Sequence, residues 1–301
     1  MVPPATPQSE TWTTRRLLAW ISDHLEAQGV HNPQLVSRML LSSVLGGTDI
    51  ELYTDPDRPA SPEDRASLRE LVARAANHEP VQYLVGRADF FGRSFKVDPS
   101  TLIPRTATET LIQLVLDEAR SRTATPESGM PIRLADLGTG SGCIAITLAR
   151  QLPGSTVLAT DIVQEALELA STNAMDHDAG DQIDFRLGSG LEPLEDESPF
   201  HVIAANLPYI PDADWESLDE NVRDHEPQTA LRGGSDGLDV IRPVLRGVKP
   251  HLVEGGLLVM EIDPAQGDAV LQLAQEEAGL VRCEILPDEF GDRRLLRAFR
   301  P

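Results

Sequence analysis

The chain has 301 residues, with 48 acidic against 26 basic side chains and a formal net charge of −22. That length accommodates one large domain and one small one, and a field of that sign repels phosphate backbones unless a clustered basic patch overrides it. Two cysteines, Cys143 and Cys283, are too few for a disulfide framework or a structural zinc site, so no metal centre is expected.

Met1 to Thr14 is rich in Pro, Thr and Ser and lacks the apolar core of a signal peptide. No uninterrupted apolar run is long enough to span a bilayer, and a soluble cytoplasmic protein is expected. From about Thr11 to His78 the periodicity is helical. Leu17, Leu18, Ile21 and Leu25 mark one amphipathic face, and Asn32-Pro33 supplies a cap and a helix-starting proline for Leu35 to Val44. Ser61-Pro62-Glu63-Asp64 opens a further helix carrying Leu68, Leu71 and Val72. These segments predict a small helical bundle. Aromatics around Gly86 and Gly92 then suggest a short hairpin bridging two domains, and Leu102 to Leu111 leads into a helix through Leu116. Arg122 to Met130, with Pro126 and Gly129, reads as a surface loop.

The stretch Ala135-Asp136-Leu137-Gly138-Thr139-Gly140-Ser141-Gly142-Cys143-Ile144 is a buried strand that ends in a glycine turn and opens directly into a helix. Glycines there let the backbone turn sharply and approach a ligand. A second apolar run, Val157 to Thr160, closes on Asp161, roughly 20 residues further on, where a β-α-β unit places an acid that accepts ribose hydroxyls. The spacing is G-x-G-x-G, without the G-x-G-x-x-G that sets a pyrophosphate on a helix N-terminus. S-adenosylmethionine, which has a ribose and no phosphate, therefore fits better than a dinucleotide.

A further strand, Phe200 to Ala205, ends in Asn206-Leu207-Pro208-Tyr209, and groups just beyond such strand ends face the ligand crevice. Strands and helices then alternate, with strands near Ile183 to Leu187 and Gly256 to Ile262 and helices over Cys143 to Gln151, Glu165 to Ala174 and Leu238 to Val248. A long loop spans Pro211 to Gly237, and the tail from Val281 to Phe299 reads as a closing antiparallel hairpin. Within it Arg293, Arg294 and Arg297, with Arg300, read as an alternating solvated face.

Asn-Leu-Pro-Tyr after the fourth strand resembles the signature of enzymes that methylate planar nitrogens. Glu79-Pro80-Val81-Gln82-Tyr83-Leu84 with Gly86, Leu102-Ile103-Pro104-Arg105 with Thr108-Glu109, and Asn221-Val222-Arg223-Asp224-His225-Glu226-Pro227 followed by Gly233-Gly234 and Asp236-Gly237-Leu238 narrow the likeness. Together they resemble the protein-(glutamine-N5) methyltransferases that modify bacterial peptide chain release factors. The resemblance runs from about Leu17 to the C-terminus.

That resemblance implies an α/β, Rossmann-like seven-stranded sheet of the class I S-adenosylmethionine-dependent methyltransferases, with a small N-terminal helical-bundle domain. It implies a substrate-docking domain over 1–85, a hairpin linker over 86–104 and a catalytic domain over 105–301. The expected cofactor is S-adenosyl-L-methionine, leaving S-adenosyl-L-homocysteine, held by Gly138, Thr139, Gly140, Ser141, Gly142, Asp161, Ser189, Gly190 and Asn206. Asn206, Pro208 and Tyr209 carry the catalytic role, and Leu207 joins them in binding substrate. The Asn206 side-chain oxygen and the carbonyl of Leu207 or Pro208 would accept the two amide hydrogens, while Tyr209 packs on the flat group. A release factor is the expected partner of a monomeric enzyme, with no nucleic acid and no membrane.

Departures from the family pattern are Leu207, where Pro is usual, and Thr106-Ala107, where Pro and an acid are common. The Asn-Leu-Pro-Tyr version is similar to ribosomal-RNA adenine dimethyltransferases. An N6-adenine methyltransferase acting on RNA or DNA, and a glutamine methyltransferase acting on a ribosomal protein, are the alternatives.

Overall fold

The computed structural model describes residues 11–47, 50–123 and 131–301. The chain divides into two compact units, Met1–Gly86 and Arg87–Pro301. The expectations for Met1 to Glu10, and for a loop over residues 124–130, lie outside the described residues.

The first unit is helical: α1 (Thr14–Ala27), α2 (Pro33–Leu45), the single turn α3 (Glu51–Thr54), α4 (Pro62–Ala75) and α5 (Val81–Val85). Its core is the i, i+4 stripe read from the sequence. Leu17, Ile21 and Leu25 of α1 pack with Leu40 and Leu41 of α2 and with Leu68 and Val72 of α4. Ser61 caps α4 in a reciprocal box, its hydroxyl accepting from the Asp64 amide at 3.0 Å while the Asp64 carboxylate accepts from the Ser61 amide at 2.9 Å. Asn32 does not cap α2 with its side chain. A side-chain cap needs an extended backbone, and Asn32 is left-handed at φ 50°, so the start of α2 rests on Pro33 at its first turn.

The second unit opens with the hairpin β1 (Arg87–Phe90) and β2 (Arg93–Lys96), turned through Phe91 and Gly92. Both turn residues have positive φ, 49° and 70°, the primed geometry that matches strand twist. Phe90 and Phe95 are buried in the same core as the central sheet, so the hairpin is an integral part of this unit. Next come α6 (Ala107–Thr123), β3 (Arg133–Leu137), α7 (Cys143–Gln151), β4 (Thr156–Asp161), α8 (Gln164–Asp176), β5 (Ile183–Leu187) and β6 (Phe200–Asn206). Arg122 and Thr123 belong to α6, where a loop had been expected.

The segment expected to be one long loop, Pro211 to Gly237, holds a 3-10 turn at Asp212–Ser217 and two single-turn helices, α9 (Glu220–Arg223) and α10 (Gln228–Leu231). It is followed by α11 (Ile241–Gly247), β7 (Leu252–Glu261), α12 (Gly267–Gln272), β8 (Val281–Pro287) and β9 (Arg293–Phe299). The seven-stranded sheet has the order β5-β4-β3-β6-β7-β9-β8. Five strands run parallel, and β9 is antiparallel to both its neighbours.

Both faces of the sheet are covered, which is why its central strands read as continuous apolar runs. Val202 and Ala204 of β6 face one core with α6 and α7, and Ile203 and Ala205 face the other with α11 and α12.

Candidate functional site

One cavity of about 170 Å³ lies at the C-terminal ends of β3, β4 and β6. A single water needs only about 10–15 Å³ by this measure, so the space suits an organic ligand. Such a place, beyond the strand ends where the strand order reverses, is where open parallel sheets bind ligands.

The glycine turn forms the first wall. Gly138 and Thr139 both donate their amides to the Thr160 carbonyl at 2.9 Å, which ties the turn to the end of β4. Asp136, fully buried in β3, accepts from the Thr139 hydroxyl at 2.7 Å and from the Ala145 amide at 3.1 Å. Gly138 must be glycine: its φ is +72°, and a Cβ there would stand 3.1 Å from the Leu207 side chain. Gly138, Thr139, Gly140 and Ser141 line the cavity. Gly142 is not on its lining. At φ +80° a Cβ on Gly142 would meet Ile146 Cδ1 at 2.9 Å and Ala170 Cβ at 3.1 Å, so this glycine serves the close packing of α7 on α8.

Asp161 ends β4 on the cavity's second wall. Its Oδ2 accepts from the Gly140 amide at 2.9 Å and its Oδ1 from the Val163 amide at 3.0 Å. Each oxygen keeps a further lone pair, so a fixed carboxylate edge remains for two hydroxyls. Burial raises its pKa, and the bonds from Gly140 and Val163 oppose that rise. Ser189 and Gly190 lie on the same wall, the Ser189 amide donating to Glu192 at 3.2 Å. Ile162, 55 % exposed beside Asp161, is an apolar side chain on this wall that a flat ring would cover.

Asn206, Leu207 and Pro208 make the third wall. The Asn206 side-chain amide donates through Nδ2 to the Thr108 hydroxyl at 3.2 Å. Thr108 in turn donates to Glu261 Oε2 at 2.6 Å, and Tyr209 donates its phenol to Glu261 Oε1 at 3.1 Å. Tyr209 is not on the lining, and its hydroxyl is held on Glu261. Burial, together with the Glu261 charge, pushes the Tyr209 pKa up. Burial likewise raises that of Glu261, opposed by the Thr108 and Tyr209 bonds and by the charges of Arg294 and Arg105.

The rim is closed by the segment before α6 and by the loop after β6. Arg105, on the lining, pairs with the fully buried Glu226 side chain at 2.5 Å, and the second Glu226 oxygen accepts from the Ile103 amide at 3.2 Å. Among the described residues no group of three or more His, Cys, Asp or Glu side chains could hold a metal ion.

Residues 16–86 match the family described as the PrmC N-terminal domain, and residues 134–225 match the methyltransferase domain family. A release factor glutamine methyltransferase of Geobacter sulfurreducens is 40 % identical over 97 % of this chain and 98 % of its own. Proteins of the same name from Rhodopirellula baltica, 34 % identical over 97 % of both chains, and Koribacter versatilis, 35 % identical over 92 % of this chain and 95 % of its own, are similar over nearly the whole length. The chain belongs to the release factor glutamine methyltransferase family. Its fold is shared with the solved catalytic domain of hMettl16 in complex with the MAT2A 3′UTR hairpin, at a TM-score of 0.53 and 16 % identity over 81 % of this chain and 85 % of that one.

In this member of the release factor glutamine methyltransferase family, Thr108 could be read from the sequence only as part of a motif, and Glu261 was missed. The available signal for Glu261 was an acid ending the apolar run Leu257-Leu258-Val259-Met260, since acids are almost never fully buried without partners. Ile162 gave no signal beyond its place after Asp161. Arg293, Arg294 and Arg297, read as a solvated face, are each ion-paired, to Asp268, Asp288 and Glu284 respectively. The Arg300 guanidinium is bound to the Leu252 carbonyl.

Proposed function

We infer that this chain transfers the methyl group of S-adenosyl-L-methionine to the side-chain amide nitrogen, N5, of the glutamine in the Gly-Gly-Gln motif of peptide chain release factors. The observation that carries this reading is one cavity whose opposite walls hold a fixed carboxylate, Asp161, and a planar amide acceptor, Asn206, in a chain alike over its length to release factor glutamine methyltransferases. When bound, S-adenosylmethionine supplies an electrophilic methyl on a sulfonium. Asp161 would accept from ribose hydroxyls, Ile162 would offer an apolar surface to the adenine, and Gly138, Thr139, Gly140 and Ser141, with Ser189 and Gly190, would supply the remaining contacts.

An amide nitrogen is a weak nucleophile because its lone pair is delocalised into the carbonyl. The Asn206 Oδ1 accepts one of its hydrogens, and the backbone carbonyl of Leu207 or Pro208 accepts the other. This fixes the amide plane so that its electron density points along one line, and orientation of this kind removes much of a barrier. The same oxygens stabilise positive charge as it develops on nitrogen. No strong base is required before transfer, because the nitrogen becomes acidic as it is methylated and then loses its surplus proton to water; the buried Glu261 carboxylate is already engaged by Thr108 and Tyr209.

The N-terminal helical unit is the part we assign to docking the folded protein substrate, and the enzyme works in the cytoplasm as a monomer without a nucleic-acid partner. The overall charge of −22 and the ion-pairing of the C-terminal arginines support the last point. Leu207 favours the adenine reading, and one experiment separates the two. Labelled cofactor is incubated with purified release factor, ribosomes and RNA in parallel, and the modified residue is mapped by mass. Label on the release factor glutamine is expected, while label confined to RNA or to a ribosomal protein refutes the assignment.

A further inference from the structure

We propose that Thr108 and Glu261 are positioning residues that set which end of the Asn206 side-chain amide faces the cavity. Asn206 ends β6, and the parallel register places Glu261, the last residue of β7, beside it. Thr108 reaches the same point from the first turn of α6. The side chains then form a chain of hydrogen bonds with a definite direction.

A threonine hydroxyl has one proton to give. It goes to Glu261 Oε2 at 2.6 Å, the length of a charge-assisted O–H to carboxylate bond. The other Glu261 oxygen is filled by the Tyr209 phenol at 3.1 Å. With its proton committed, the Thr108 oxygen can only accept, and the group that approaches it at 3.2 Å must be the NH2 end of Asn206. The carbonyl end of Asn206 is thereby the one left for substrate. Without the hydroxyl, or with its proton turned toward Asn206, the amide would be free to present NH2 to an incoming NH2, where donor faces donor. Asn alone does not decide this, since its two ends have nearly the same shape. Glu261 is 1 % exposed and the Thr108 side chain lies on the lining, so the carboxylate acts through Thr108 and touches no substrate.

On the amide-methylation reading, this assignment predicts a change in turnover without a change in cofactor binding. Thr108→Val keeps the shape and removes the hydroxyl, and Thr108→Ser restores it. In steady-state assays with release factor, Thr108→Val is expected to lower kcat by about tenfold or more, the scale of one lost hydrogen bond. Its affinity for S-adenosylhomocysteine by calorimetry should stay within about threefold of wild type, and Thr108→Ser should return kcat to within about threefold. Thr108→Ala provides the same test should the valine variant not fold. A valine variant as fast as wild type overturns the assignment. So does a serine variant as slow as the valine one, which would mark Thr108 as a packing residue. Absence of turnover by the wild type would instead remove the methylation reading itself, and the assignment with it.

Discussion

Replacing Asp136 by Asn should flatten the dependence of folding stability on pH, and the size of the effect follows from the surroundings of that carboxylate. Asp136 is fully buried, and one oxygen, Oδ2, accepts both the Thr139 hydroxyl and the Ala145 amide. The other oxygen, Oδ1, is buried without a hydrogen-bond partner. Burial pushes the pKa from 3.8 up to about 7, the bonds from Thr139 and Ala145 oppose the rise, and the nearby Asp161 charge adds to it. Between those two values the folded chain keeps a proton that the unfolded chain has released, so rising pH favours unfolding.

The contribution is therefore fully present below about pH 4 and is lost as pH climbs through about 7. At about 1.4 kcal/mol per tenfold change in proton affinity, the whole interval amounts to about 4 kcal/mol, and about 3 kcal/mol of it falls between pH 5 and pH 8. An asparagine can keep both bonds through its carbonyl oxygen, while its NH2 takes the place of the unpartnered oxygen and does not ionise. Urea denaturation of wild type and Asp136→Asn at pH 5 and pH 8, followed by circular dichroism, gives the difference between the two proteins at each pH, in which the titrations of groups not coupled to Asp136 cancel. That difference should move in the variant's favour by about 3 kcal/mol on going to pH 8. Parallel pH profiles for the two proteins would refute the reasoning.

Asn206→Ala should reduce turnover on release factor by about 100-fold or more, as loss of an aligned transition-state acceptor does, while calorimetry finds cofactor affinity within about twofold; unchanged turnover removes Asn206 from the mechanism. Asp161→Ala is expected to weaken S-adenosylhomocysteine binding by roughly 10- to 100-fold, the scale of a lost charge-assisted hydrogen bond, and an unaltered binding isotherm would exclude it from the cofactor wall. Gly142→Ala should destabilise the fold by about 2–5 kcal/mol, combining left-handed backbone cost with the crowding of Ile146 and Ala170; a urea midpoint equal to that of wild type would contradict the packing role.

The features read correctly from the sequence are local ones. The glycine turn, Asp161 closing an apolar run, and Asn206 ending another are each set by a few consecutive residues, and the sheet rules then bring them to one crevice. What escaped was non-local. Thr108 and Glu261 meet across 153 positions, and nothing in either neighbourhood announces the other until the register of β6 against β7 is known. Tyr209 was expected to pack on the flat substrate group, and it is absent from the cavity lining. Its position is decided by a buried carboxylate that its phenol can satisfy. The short helices α9 and α10 are single turns, too brief to show periodicity, and α5 is a five-residue helix in a stretch that had read only as the approach to a hairpin. Asn32 shows the converse limit, since a residue type favoured at caps still needs the backbone to turn the right way.

The placement of β9 between β7 and β8 has a consequence for how the polypeptide reaches its folded form during synthesis. β8 emerges from the ribosome first, yet among the described residues its only sheet neighbour is β9, so it has no docking edge until the later strand has arrived. A nascent chain that includes β7 and β8 but lacks β9 would leave the edge of β7 uncovered, exposing Leu257 to Glu261 to pairing with other chains. A released chain truncated just before Arg293 should therefore aggregate and recruit chaperones more readily than the full chain.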